Sequence, residues 1–333
     1  MNTLDTNFTD TNVIDTKRSD TGNVNLSAVA ERFASLIANN AFASGDSLRI
    51  FHGRGNTYDG LHWLNIDFFH PVILVTLFAE IHDDVQARLF ALITENLPDL
   101  ACDCLVVQRR YLDKAPCDVI VGDLPNQAYA QRNGLRFFLS FEQQNVGFFL
   151  DIEIARQWVE RECKEKNVLN LFSYTCAFSV VAKAAGAEHV VNMDMSSRAL
   201  SIGRENHKVN GLSTDNVRFY AYDIFKSWGR IKRHGPYDLI IIDPPSFQKG
   251  SFVASKDYQR VIRKMSGLLN DDGCFLACLN APEVDLSDFK RLLEAEADGF
   301  VVENILEASP YFPDISAEKR LKMLVFRKGE PKA

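Results

Sequence analysis

Three acidic residues stand where apolar runs end. Asp194 closes Val190-Val191-Asn192-Met193, Asp223 follows Val217 to Tyr222, and Asp243 closes Leu239-Ile240-Ile241-Ile242. The last continues as Asp243-Pro244-Pro245-Ser246-Phe247. Four apolar residues in a row fit a strand buried on both faces, and two prolines cannot continue a central strand. This strand end offers a carboxylate, rigid backbone carbonyls and an aromatic ring at the edge where open α/β sheets bind ligands. A carboxylate at Asp194 can accept both hydroxyls of a ribose, and one at Asp223 can accept from an adenine amino group. Each acid alone also fits a helix N-cap, and Asp-Pro-Pro alone fits a strand-ending turn. Together the three outline a nucleoside-shaped slot.

The segment Val168-Leu169-Asn170-Leu171-Phe172-Ser173-Tyr174-Thr175-Cys176-Ala177 reads as strand, tight turn and helix start. Free N–H groups of such a helix face a ligand at the sheet edge. Its turn has no glycine, which argues against a dinucleotide-binding dehydrogenase and against a phosphate loop.

The elements that must position these groups alternate. From Asp151 onward, helices at about 152–165, 177–186, 197–209, 255–269 and 286–298 interleave with strands at 168–172, 190–194, 217–221, 239–242 and 274–279. Late strands follow at 301–308 and 321–327, the last read as antiparallel. This alternation predicts an α/β fold with a Rossmann-like, seven-stranded, doubly wound sheet. Upstream, a helix from Leu26 to about Ala43, a helix at 83–95 and short strands at 48–51, 63–69, 72–77, 104–108 and 118–121 predict a smaller α+β domain. Leu135–Leu139 and Val146–Leu150 read as a hairpin between the two. The expected division is a disordered tail at 1–25, an accessory domain at 26–134 and a second domain at 135–333.

The bulk properties fit a globular chain: 333 residues, 46% apolar, 24% charged and a net charge of −7. No long uncharged apolar run suggests a membrane span, and the polar N-terminus does not read as a secretory signal. The expectation is a cytoplasmic protein with reduced thiols. The seven cysteines and seven histidines lack metal-ligand spacing, so no metal is expected. The acidic balance argues against broad nucleic-acid affinity. A local run of cations (Lys226, Arg230, Lys232, Arg233, Lys249, Lys256, Arg260, Arg263, Lys264) fits either a solvated helix face or a phosphate-contacting rim.

Several motifs resemble class I S-adenosylmethionine-dependent methyltransferases, and more closely the bacterial 23S rRNA large-subunit enzymes that modify guanine N2 or cytosine C5. They are Gly147-Phe148-Phe149-Leu150-Asp151, Asn170 to Thr175, Val191-Asn192-Met193-Asp194, Ala199 to Asn206 with Asn210-Gly211-Leu212, and Asp243 to Phe247. The resemblance runs from about Arg49 to the C-terminus. It implies S-adenosylmethionine held by Phe149, Asp151, Asn170, Phe172, Ser173, Tyr174, Thr175, Asp194, Met195, Asp223 and Asp243, with RNA as substrate. Three departures stand out. Cys176 and Ala177 replace glycines, Ile152-Glu153 replaces Gln-Arg, and the N-terminal part shows no recognisable RNA-binding module.

Two chemistries compete. For an exocyclic amine, Asp243 and the Pro244 carbonyl accept the amino hydrogens, Pro245 keeps the turn rigid, Phe247 stacks on the base and Asn280 hydrogen-bonds a base edge. For cytosine C5, a thiolate must first add to C6. The position matching that cysteine is Asn280, and Cys278 lies two residues earlier. Guanine N2 is the first expectation. A small-molecule methyltransferase or a non-catalytic RNA- or protein-binding relative stays open, as does the oligomeric state.

Overall fold

A computed structural model describes residues 24–245, 247–248 and 252–329, so all but the last two residues of the expected tail at 1–25, together with Ser246 and Lys249, lie outside the described residues. Side chains of residues 247–248 and 252–255 also lie outside it. The first part opens with helix α1 (Ser27–Ala38), which buries Val29, Phe33 and Leu36 at helical spacing. Strands β1 (Leu48–His52), β2 (Leu64–Phe69) and β3 (Val72–Leu77), helix α2 (Asp83–Asn96), and strands β4 (Cys104–Arg109) and β5 (Cys117–Val121) follow. The five strands form one sheet in the order β1-β2-β3-β4-β5, in which only β3 and β4 are parallel neighbours. Helices α1 and α2 cover one face.

Strands β6 (Ala128–Arg132) and β7 (Leu135–Leu139) form a separate hairpin. This corrects the expected pairing of 135–139 with 146–150, which contains no strand. The decisive signal is Asn133-Gly134, whose φ angles of 47° and 78° are those a two-residue hairpin turn needs. The hairpin spans the expected boundary at residue 134. Its Phe137 and Leu139 share a core with Val72, Leu74 and Val106 of the first sheet. Val180 and Val181 of the second part complete that core.

The second part runs α3 (Glu153–Glu162), β8 (Asn167–Leu171), α4 (Ala177–Ala184), β9 (His189–Asp194), α5 (Ser197–Val209), β10 (Val217–Ala221), α6 (Trp228–Lys232) and β11 (Tyr237–Ile242). Then come the two-residue strands β12 (Phe247–Gln248) and β13 (Phe252–Val253), α7 (Ala254–Ile262), β14 (Leu269–Leu279), α8 (Leu286–Glu296), β15 (Phe300–Ile305) and β16 (Lys322–Lys328). Seven strands form the second sheet in the order β10-β9-β8-β11-β14-β16-β15. The first five are parallel, and β16 runs antiparallel to both neighbours. The apolar run of β11 is explained by its place beside β8 and β14. Leu239 and Ile241 pack among residues of α3 and α4, while Ile240 and Ile242 pack among those of α7 and α8. Chain order reverses between β8 and β11, which opens a crevice at their carboxyl ends.

Candidate active site

The turn after β8 adopts an unusual backbone. Phe172, Tyr174 and Cys176 have φ of 57°, 45° and 62°, the left-handed region that side chains disfavour by about 1–2 kcal/mol per residue. Hydrogen bonds hold it there. Ser173 N donates to Met193 O at 3.0 Å, and Tyr174 N donates to Asp194 Oδ2 at 2.8 Å. Thr175 Oγ1 donates to Gly147 O at 2.7 Å, and Tyr174 Oη donates to Asn145 O at 3.0 Å. Gly147 must be glycine, because at φ 118° a Cβ would lie 2.6 Å from Phe138 O. Asn206 of α5 binds the turn and the hairpin together, donating to Thr175 O at 2.9 Å and accepting from Phe138 N at 2.8 Å.

The acids differ in how far they are committed. Asp194 accepts from Tyr174 N with one oxygen and from Ser196 N (2.8 Å) with the other, each oxygen keeping acceptor capacity. Asp223 caps the short turn after β10 by accepting from Phe225 N at 2.8 Å, and Lys226 Nζ lies 3.6 Å from its Oδ2. Asp151 accepts from Asn280 Nδ2 at 3.2 Å. Asp243 makes no hydrogen bond and no ion pair among the described residues. Burial, then the charge of Asp151, pushes its carboxyl up to about 7, against the pull of Arg156. Burial also raises Asp151, against Arg49 and Arg156.

These groups meet at a cavity of about 910 Å³ at the β8–β11 crevice. Its wall takes in Phe149 and Asp151, Phe172 to Thr175, Asp194 and Met195, Asp223, and Asp243, Pro244, Pro245 and Asn280. Asn170 is not brought there. It is buried, and its Nδ2 donates to Asn192 Oδ1 at 3.0 Å in a chain that continues through Ser179 to His207. Alternation on a strand covered on both faces decides this: Asn170 points into the sheet's interior. The stacking role of Phe247 falls on a side chain outside the described ones. Cys278 does not line the cavity either. It is fully buried between Leu276 and Met323 in the core under α3 and α4, and burial, then Asp243 and Asp151, holds its thiol far above the ordinary value. A nucleophilic thiolate is disfavoured there.

Sequence reasoning missed Arg156, Arg110 and Phe225, all of which line the cavity, and read Gly147 only as part of a motif. Arg156 had a signal, being a lone arginine on the helix face that Ile152, Ala155 and Val159 bury. Its guanidinium lies 3.9 Å from the Phe148 ring centroid, donates to Glu153 Oε2 at 3.2 Å and to Phe149 O, and leaves Nε buried without a hydrogen-bond partner among the described residues. Of the proposed cationic rim, Lys226, Arg260 and Arg263 are paired with Asp223, Asp257 and Glu296.

A family model described as S-adenosylmethionine-dependent methyltransferase matches residues 48–327. The chain belongs to that family. The methyltransferase is 29% identical over 271 residues to ribosomal RNA large subunit methyltransferase I of Aeromonas salmonicida, covering 76% of this chain and 67% of that one. It is 30% identical to YwbD of Bacillus subtilis, over 75% of this chain and 64% of that one. It thus spans about two thirds of the length of these relatives. The crystal structure of SMU.776 complexed with SAH shares the fold, with a TM-score of 0.80 at 24% identity over 91% of this chain and 82% of that one.

The cavity's donor set suits the family's cofactor, S-adenosylmethionine. Asp194 retains acceptor capacity for ribose hydroxyls, and Phe172, Ile224 and Phe225 supply apolar surface for an adenine. Arg156 brings a guanidinium to the cavity wall that can answer a carboxylate, and Asp243 and Asp151 offer negative charge to a sulfonium.

Proposed function

We propose that this methyltransferase modifies an exocyclic amine of an RNA base, with guanine N2 of ribosomal RNA as the target. The observation that carries this reading is Asp243, a carboxylate with no hydrogen-bond or ion-pair partner among the described residues, at the end of β11, beside two prolines and facing the cavity. Asp243 accepts one amino hydrogen and the Pro244 carbonyl the other, which turns the nitrogen lone pair out of ring conjugation. The bound cofactor supplies a methyl group on a cationic sulfur. With the cofactor bound, Asp243 would take the proton that the amine gives up as it gains the methyl group, a task to which its carboxyl near 7 suits it. Asn280, fixed by Asp151, hydrogen-bonds a base edge. Phe149, Asp151, Phe172 to Thr175, Asp194, Met195 and Asp223 surround the cofactor, and Arg156 takes its carboxylate. The burial of Cys278 weighs against cytosine C5, and the rRNA enzyme among the relatives supports the substrate class.

The first sheet with α1 and α2 acts as an accessory domain that presents the substrate to the seven-stranded sheet, with the β6–β7 hairpin joining the two. The deciding experiment compares modified nucleosides in ribosomal RNA from cells with and without this protein. Loss of one methylguanosine supports the reading, and unchanged nucleosides refute it.

A further inference from the structure

Carboxylates outnumber Lys and Arg by 44 to 37 in this chain, and several of its less exposed arginines are answered by one. Arg49 pairs with Asp67, Arg109 with Asp118, Arg132 with Glu153 and Glu160, and Arg263 with Glu296. Arg54 and Arg110 stand out among the arginines without such a pair by sharing one aromatic ring. Among the described residues neither has an ion-pair partner, yet both guanidinium groups come to the same ring. Arg54 lies 4.6 Å and Arg110 5.8 Å from the Phe78 centroid.

Topology brings them together. Strands β1, β3 and β4 run the same way in the first sheet, since β2 is antiparallel to both β1 and β3 and β4 is parallel to β3. Arg54, Phe78 and Arg110 follow the carboxyl ends of these three strands. Partial burial disfavours the charge of both groups, and Arg54 adds repulsion at Arg110. A fold that tolerates two unanswered cations on one ring has a place for an anion. Arg110 also lines the reaction cavity, where its Nη1 donates to Gln144 O at 3.3 Å. A phosphate held by Arg110 would therefore lie beside the cavity, with Arg54 close by at the same ring.

We propose that Arg54 and Arg110, backed by Phe78, form a phosphate grip with which the N-terminal sheet holds the RNA backbone beside the nucleotide in the cavity. This rests on the RNA reading above. It gives the smaller domain a task that needs no separate RNA-binding module, and it uses the geometry of a planar guanidinium against a tetrahedral anion.

The test uses the full chain saturated with SAH and a fluorescent single-stranded RNA 20-mer, with binding measured by anisotropy across a salt series. Arg54→Gln/Arg110→Gln should reduce the slope of log affinity against log salt by about one to one and a half, two contacts' worth for a single strand. SAH affinity should be unchanged in Arg54→Gln alone, since Arg54 does not line the cavity, and Arg54→Lys/Arg110→Lys should retain most of the slope. An unchanged slope overturns the grip. So does a parallel collapse of SAH affinity, which would make Arg110 only a clip for the Gln144 loop. A wild type that binds no RNA sinks the RNA reading itself. A second arm then decides the anion site by comparing guanosine 5′-monophosphate with guanosine by calorimetry. Preference for the phosphate that the Gln pair abolishes upholds the site, and equal binding overturns it.

Discussion

Cys176 and Gly203 are fitted to each other. Cys176 stands in the turn after β8 with φ 62°, and Gly203 faces it from α5. A Cβ on Gly203 would lie 2.5 Å from Cys176 Sγ and 2.9 Å from its Cβ. The glycine missing from the turn thus has a counterpart in the facing helix, which lets α5 come close enough for Asn206 to bind Thr175 O. Gly203→Ala should destabilise the protein by about 1–3 kcal/mol, the usual cost of overpacking. Cys176→Gly removes both the strain and the obstruction, so the double variant should recover most of that loss. Thermal melts of the four proteins read the coupling, and additive effects would contradict the pairing.

Asp243→Ala should lower turnover by about 10²–10³-fold, the range seen when one oriented polar contact to the reacting group is removed. SAH affinity should be largely kept, because the Asp194 side of the cavity is untouched. Steady-state kinetics together with SAH calorimetry separate the two effects. Unchanged turnover would remove Asp243 from the mechanism.

The raised carboxyl of Asp243 has a measurable signature. A cation bound beside Asp243 and Asp151 lowers their affinity for protons. S-adenosylmethionine should therefore expel a fraction of a proton on binding near pH 7 and bind more tightly as pH rises through that value. SAH, neutral at sulfur, should show little of either effect. Calorimetry in buffers of different ionisation enthalpy reads the proton count, and equal counts for the two ligands would refute the coupling.

The same shift bears on stability. The folded chain holds a proton at Asp243 between the ordinary 3.8 and about 7, where the unfolded chain has released it. Stability without ligand should therefore fall as pH rises through that window. Asp243→Asn should flatten this dependence and raise the melting temperature most at pH 8. An identical pH profile for variant and wild type would refute it.

Cys278→Ala should leave turnover unchanged and cost about 1 kcal/mol of stability, as for loss of a small buried group. A stable covalent adduct with 5-fluorocytidine RNA, detected by mass spectrometry, would reverse the assignment toward cytosine C5.

Local pattern carried a large part of this protein. Alternating apolar runs and helical spacing marked the strands of the second sheet, because burial on both faces leaves a continuous apolar signature in β11. Prolines after Ile242 marked a strand end, and the acids at 194, 223 and 243 could be placed at one sheet edge because parallel strands bring their carboxyl ends together. The signal for the β6–β7 hairpin was also local, in Asn133-Gly134, but the pairing of 135–139 with 146–150 left it unread.

Tertiary structure decided what depends on partners distant in sequence. A strand buried on both faces does not reveal which face opens on a cavity, so Asn170 and Cys278 read as site residues until the neighbouring elements enclosed them. Arg156 acquires its orphaned Nε only when α3 folds against Phe148, and Arg54 meets Arg110 only because three strands end on one side. The space that admits Cys176 belongs to Gly203, one helix away. Residue type and spacing report on turns and periodic faces, whereas close approach and unanswered charge are properties of pairs, and only the packed chain brings the members of a pair together.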